Sequence, residues 1–149
     1  MRTPPRDCPC HSGRRYAACC APLHRDEREA DTPEELMRSR YAAFALGLGA
    51  YLVKTLGRDH PDRAGDEAAL ARELSGARER QRFLGLRIVA ASSDGDRGEV
   101  LFHARIFERG ADRSFAERSA FRREQGAWRY TGGEAVPTGD PLPSRGDRP

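Results

Sequence analysis

Four cysteines, Cys8, Cys10, Cys19 and Cys20, are the only thiols of the 149-residue chain, and all fall within the stretch CPCHSGRRYAACC. Their spacing, C-x-C-x8-C-C, makes two close pairs joined by a short loop. Such pairs can set four sulfurs at the corners of a tetrahedron, the geometry of a closed structural Zn2+ site. Disulfides fit the spacing poorly, because bridges within Cys8–Cys10 or Cys19–Cys20 would close strained local rings. An iron centre, a redox dithiol and an unliganded cluster are the other readings of the same residues. Four protein ligands leave no open coordination position, so a metal here would hold structure rather than perform chemistry. Between the pairs, Gly13 permits a turn, and Ser12 and backbone amides can donate to thiolates. Arg14 and Arg15 can offset the residual negative charge, and Tyr16 gives the knuckle something apolar to pack. His11 and His24 lie close enough to replace a cysteine as ligand, although a lone histidine beside a complete set is more often a surface or packing residue.

The positions that must hold such a cluster lie in a chain long enough for one globular domain and a small appendage. Its 26 basic and 23 acidic residues give a net charge of +3 and are interspersed along the sequence, a weak electrostatic footprint that argues against nucleic acid as a partner. Lys54 is the only lysine. The N-terminal MRTPPRDCPC lacks the apolar core of a secretory signal, and no apolar run is long enough to span a membrane. The expected location is the cytoplasm, where a tight cysteine cluster reads as metal-binding or redox-active rather than as a disulfide framework.

The stretch CPCHSGRRYAACC resembles the SEC-C zinc motif found at the C-terminus of the preprotein-translocase motor ATPase and in many small bacterial proteins, in a variant ending in two cysteines. Followed by PLH and then ADTPEELMRSRYAAFALG, it resembles more narrowly the YchJ family. The resemblance covers roughly residues 8 to 133. It implies a zinc knuckle over residues 1–25 followed, over 31–133, by an α+β domain of the nuclear-transport-factor-two-like or cystatin-like fold, a cone of helices on a curved antiparallel sheet. His11 stands where the motif usually has glycine, and the C-terminal VPTGDPLPSRGDRP lacks the second cysteine motif that some relatives carry. Related SEC-C motifs serve as partner-docking knuckles in the translocase motor, so the resemblance also implies a protein partner.

The sequence pattern supports the same architecture. Thr32, Pro33 and Glu35 form a helix start with capping residue, preorganised first position and reciprocal carboxylate. Met37, Tyr41, Phe44 and Leu48 then recur on one helical face until Gly47 and Gly49 break it. AYLVKTL predicts a second short helix, DHPDRAG a polar connection, and Leu70, Leu74 and Ala77 a third helical face. After Arg82 the period becomes two. Leu84, Leu86, Ile88 and Ala90 alternate, and three further strands come after them, which places helices on one side of an antiparallel meander. Residues 134–149 are rich in proline and polar residues and predict a disordered tail, while the cone, having its own core, is expected to fold without residues 1–25.

A second candidate site depends on strand register. A three-residue loop of Gly110, Ala111 and Asp112 would place Phe107 opposite Phe115, Arg105 opposite Glu117, His103 opposite Ser119 and Leu101 opposite Phe121, pairing aromatics and opposite charges. That face would carry a polar patch of His103, Arg105, Glu117 and Ser119 on the concave side of the sheet, with Arg40 of the first helix able to approach it. The plain reading is a satisfied Arg105–Glu117 ion pair. The functional one is a small-ligand or acid–base site with His103 and Glu117 as the titrating pair, as in isomerases or dehydratases of this fold. If Arg105 and Glu117 pointed to opposite faces, that pocket would be removed and docking alone would remain.

No G-x-S-x-G, H-E-x-x-H or phosphate-binding glycine loop occurs. The leading functional expectation is therefore a zinc-binding, non-catalytic interaction protein. A rigid knob flanked by Arg6, Arg14, Arg15 and Arg25 would suit an acidic macromolecular partner; no sequence feature sets an oligomeric state.

Overall fold

The computed structural model describes residues 5–137. Within them a 3-10 turn, Tyr16–Ala18, and a one-turn helix α1, Ala21–His24, close the N-terminal knuckle. Helices α2, Pro33–Leu46, α3, Gly49–Lys54, α4, Glu67–Ser75, and α5, Ala77–Arg80, come next, with a 3-10 turn at Pro61–Ala64 before α4. Strands β1, Arg82–Asp94, β2, Arg97–Glu108, β3, Ala111–Asp112, β4, Phe115–Glu124, and β5, Ala127–Val136, complete the described elements. They form an antiparallel sheet in the order β1-β2-β4-β5, with the short β3 paired to β2.

The start of α2 forms as its residues dictate. Thr32 Oγ1 accepts the Glu35 amide at 3.1 Å, and Pro33 occupies the first turn, where its missing N–H has no intrahelical role. The Glu35 carboxylate reaches one residue further back than a capping box requires, accepting from the Asp31 amide at 2.7 Å. Gly98 of β2 lets this helix end lie on the sheet, since a Cβ there would stand 2.3 Å from Pro33 Cγ. Leu36, Met37 and Tyr41 are buried, with Phe44 and Leu48 packed at the edge of the same core. Val100, Phe102, Ala104 and Ile106 of β2 and Phe121 and Trp128 of β4 and β5 meet them from the sheet.

The alternation in β1 is interrupted twice. Register shifts between Phe83 and Gly85 and between Ile88 and Ala90 break the single face expected for Leu84, Leu86, Ile88 and Ala90. Phe83, Leu86 and Ile88 pair with Ile106, Ala104 and Phe102 on the core side. Leu84 is left outside at 41% exposure, because a bulge residue falls out of the two-residue period.

The hairpin register also differs from expectation. The turn is the two-residue Arg109–Gly110, with φ of 54° and 80°, so Glu108 pairs with Ala111 and Phe107 with Asp112. Two successive left-handed residues make a turn whose twist matches that of the flanking strands. The register carries into β4, where Phe102 pairs with Glu117, Val100 with Ser119 and Gly98 with Phe121. The offset from the expected register is an odd number of residues, so the β2 side chains opposite those of β4 are exchanged. Arg105 and His103 therefore lie on the outer face, and Glu117 and Ser119 on the inner one.

At the C-terminus β5 continues through Glu134, Ala135 and Val136, which pair with Arg118, Glu117 and Ala116. The cone thus extends three residues beyond the expected limit of 133. The remainder of the expected tail, from residue 138 onward, lies outside the described residues.

Candidate functional site

The knuckle turns its sulfurs inward. Cys8, Cys10, Cys19 and Cys20 are all buried, and their Sγ atoms lie within 4.8 Å of one another. Cys10 and Cys19 are 3.6 Å apart and Cys19 and Cys20 3.9 Å, whereas sulfurs held ~2.3 Å from a tetrahedral Zn2+ would be about 3.8 Å apart. The donor set and its spacing therefore fit a four-coordinate metal ion. Ser12 Oγ stands 3.2 Å from Cys19 Sγ, and the Arg14 guanidinium is turned to the Ala18 carbonyl at 2.5 Å.

Local backbone sets this geometry. The Cys8 amide donates to Arg14 O and the His11 amide to Cys8 O, folding the first pair into a tight loop in which His11 has a φ of 63°. The usual glycine of the motif would adopt that left-handed conformation more readily. Donation to Cys10 and burial raise the Cys8 thiol to about 12 and push Cys20 up as well. Cys10, which receives these hydrogen bonds, is pushed down. Holding several thiolates this close together needs a cation among them.

The two histidines are not spare ligands of equal standing. His24 has both ring nitrogens engaged, Nδ1 with Tyr16 Oη at 2.7 Å and Nε2 with Ser39 O at 2.8 Å, and its ring meets Tyr51 edge-on. His11 is exposed, its Nε2 3.4 Å from Phe83 O and its ring against Tyr41. Both tie the knuckle to the cone. Arg38 of α2 adds a bond to Cys10 O at 3.0 Å, Ala42 and Leu46 pack beside the cysteines, and Leu23 of α1, 1% exposed, belongs to the main core.

Burial pushes the His24 ring below its ordinary titration range, outweighing the bond to Ser39 O. The folded protein therefore holds this ring neutral where the unfolded chain would take a proton. Stability is expected to fall as pH drops through about 6.5, and to level off once the folded-state ring itself protonates. Urea midpoints between pH 8 and 5, read beside the NMR titration of the His24 ring, check this; a ring titrating at or above its free value would contradict it.

The second candidate site is rearranged. His103 sits on the outer face opposite Arg87, where burial and the Arg87 charge lower its pKa, and Arg105 is exposed beside Gly85. Neither faces Glu117, so the His103–Glu117 pair and the Arg105–Glu117 ion pair do not form. The pocket in its expected composition is removed.

The inner face nevertheless encloses a cavity of ≈ 380 Å³, to which Arg40, Glu117 and Ser119 do contribute. Glu117 Oε2 accepts from Ser119 Oγ at 2.6 Å and from Tyr130 Oη at 3.0 Å. Arg40 is 7% exposed and stands over the Tyr130 ring, 4.7 Å from its centroid. Its Nη1 donates to Leu52 O at 2.8 Å and Thr55 Oγ1 at 2.6 Å, and burial lowers its pKa to about 10, which leaves it a cation at neutral pH. His60 and Asp62, read in the sequence only as part of a polar connection, also line the cavity. Backbone bonds from Gly57 to Tyr130 and from Tyr130 to Thr55 pin the residues just before that connection to β5.

Known proteins resemble the chain along most of its length. The profile described as "YchJ, middle NTF2-like domain" matches residues 32–133, and that of the SEC-C motif matches residues 7–22. The UPF0225 protein of Deinococcus radiodurans is 43% identical over 130 residues, covering 85% of this chain and 88% of its own length. The UPF0225 protein YchJ of Shigella dysenteriae serotype 1 is 40% identical over 140 residues, covering 91% and 89%. The solution structure of a SEC-C motif containing protein from Rhodopseudomonas palustris matches with a TM-score of 0.75 at 42% identity, over 87% of this chain and 98% of that one. Among the described residues no helix is long and apolar enough to cross a membrane.

Proposed function

The chain belongs to the YchJ family, with a SEC-C motif preceding its NTF2-like domain, and on that premise we propose that it is a zinc-holding, non-catalytic interaction protein of the cytoplasm. Its knuckle docks an acidic protein partner. Zn2+ suits the four thiolates because it accepts tetrahedral sulfur coordination and has no redox chemistry of its own. When bound it supplies charge neutralisation and rigidity, and Cys8, Cys10, Cys19 and Cys20 would hold it.

The observation that carries the docking reading is the state of the knuckle's arginines. Arg6, Arg14, Arg15 and Arg25 are exposed, and none is held in an ion pair among the described residues, whereas nearby Arg28, Arg38 and Arg129 are paired with Glu35, Glu34 and Glu29. Four cations without an ion-pair partner among the described residues, on a rigid knob, favour an acidic surface, since little ordering entropy is lost on contact. Charge reversal at Arg6, Arg15 and Arg25 leaves the sulfurs untouched. That variant is expected to keep its metal and lose one partner captured by the wild type, with wild-type capture weakening as salt rises, while Arg109→Glu at the β2–β3 turn retains the partner. The same proteins captured by both the triple variant and the wild type would refute docking through the knuckle.

A further inference from the structure

We infer that the cone cavity is a binding site for a small organic carboxylate with an apolar, ring-sized body, its carboxylate held by Arg40. This site is separate from the knuckle and stands or falls independently of it. Arg40 is a buried cation, and among the described residues no carboxylate forms an ion pair with it. A cation removed from water ordinarily requires a compensating anion or a full set of acceptors. Only Nη1 has acceptors, Leu52 O and Thr55 Oγ1; Nε and Nη2 have none among the described residues. They are not sealed in protein either, because the one fully enclosed, unpartnered side-chain atom found there is Arg87 Nε. The cavity is a space that Arg40 lines, beside the Tyr130 ring over which its guanidinium stands, and these two nitrogens are the donors left to meet a ligand there. Together they present the two-pronged donor edge that a carboxylate matches.

The remainder of the cavity sets the rest of the ligand. Its walls are chiefly aromatic and aliphatic, with Phe44, Phe83, Phe102 and Phe115 among them, and its ≈ 380 Å³ lies within the span of small-molecule sites. Phe115, 37% exposed, marks the rim. Of the cavity's other charged groups, Asp62, Arg113 and Glu117, Arg113 is exposed to solvent, Glu117 already receives two hydroxyls on Oε2, and the two carboxylates disfavour a second anion beside them. The anionic end of the ligand is thus directed to Arg40 and the apolar body toward the phenylalanines.

The test uses the full-length, metal-loaded chain and three probes, benzoate, cyclohexanecarboxylate and hexanoate, each paired with its neutral amide, followed by amide NMR shifts. At least one carboxylate is expected to bind saturably, with shifts centred on Phe102, Ser119 and Tyr130 and an affinity at least ~10-fold above its amide. Arg40→Met, which keeps length and removes charge, should erase that preference. Non-saturating shifts spread over the exposed arginines, equal affinity for acid and amide, an unchanged preference in Arg40→Met, or no binding by any of the three would overturn the inference. Should Arg40→Met fail to fold, the acid-to-amide ratio and the location of the shifts in the wild type decide alone.

Discussion

Stripping the metal with a chelator is expected to destabilise the whole protein, not the knuckle alone. Metal analysis should first find one zinc per chain, lost in Cys19→Ser, Cys20→Ser. Binding at such four-thiolate sites is worth about 10–16 kcal/mol to the folded state. Without the ion, four buried sulfurs packed this closely lose the cation that holds them together, and the loop that they fix is free to open. The packing of the knuckle on α2 decides how far that loosening spreads. Leu23 lies in the main core, His24 bridges Tyr16 and Ser39, and Ser39 in turn meets Tyr51 Oη at 2.7 Å. Losing a buried leucine alone costs about 2–5 kcal/mol, a large share of the 5–15 kcal/mol by which a domain is usually stable. The sequence suggests a cone that stays folded without residues 1–25, with only local loosening near the helix that starts at Pro33. The contacts predict that the chelated protein and a chain beginning at residue 26 both unfold at a midpoint lower by at least about 4 °C, taking ~2 kcal/mol or more at ~2–4 °C per kcal/mol. Calorimetry of the two against the metal-loaded protein makes the comparison. A transition unmoved by chelation, or two disulfides found by mass in the absence of zinc, would end the structural-metal reading.

The knuckle was legible because every element of it is local. Four sulfurs within thirteen positions can meet only each other, and the chemistry of thiols restricts what they hold. The start of α2 was legible for the same reason, since Thr32, Pro33 and Glu35 act on backbone groups within a turn of themselves. The cavity was legible only in part. Arg40, Glu117 and Ser119 do line it, but Tyr130, which touches both Arg40 and Glu117, carries no signal beyond its place in an alternating strand. His60 and Asp62 reach it through a connection that follows residues pinned to β5 by backbone bonds, a contact that no local pattern announces. The Arg109–Gly110 turn did have a signal: glycine as second residue of a two-residue turn recurs at Gln125–Gly126, where φ is 52° and 82° and Glu124 pairs with Ala127.

Why charge matching gave the wrong register is a question of magnitudes, and a pair of substitutions reads the answer directly. Matching Arg105 with Glu117 and Phe107 with Phe115 would gain roughly 0.2–1 kcal/mol per pair. It would also turn Val100, Phe102, Ala104 and Ile106 away from the β4 side chains Ser119 and Phe121, which are fully buried against the helices. Burying one large apolar side chain is worth about 1.5–3 kcal/mol, so the alternating apolar positions of β2 outweigh any cross-strand pairing and choose the face. Phe102, 3% exposed, should therefore be a core residue, and Phe102→Ala is expected to cost about 3–5 kcal/mol. Phe107 is half-buried and pairs with Asp112 at the hairpin end, so Phe107→Ala is expected to cost roughly 1 kcal/mol or less. Urea denaturation of both variants, with unchanged slopes, measures the contrast. Equal losses would mean that Phe107 also reaches the core. A larger loss at Phe107 would restore the three-residue loop, return Arg105 and His103 to the inner face, and change the lining of the cavity that Arg40 shares.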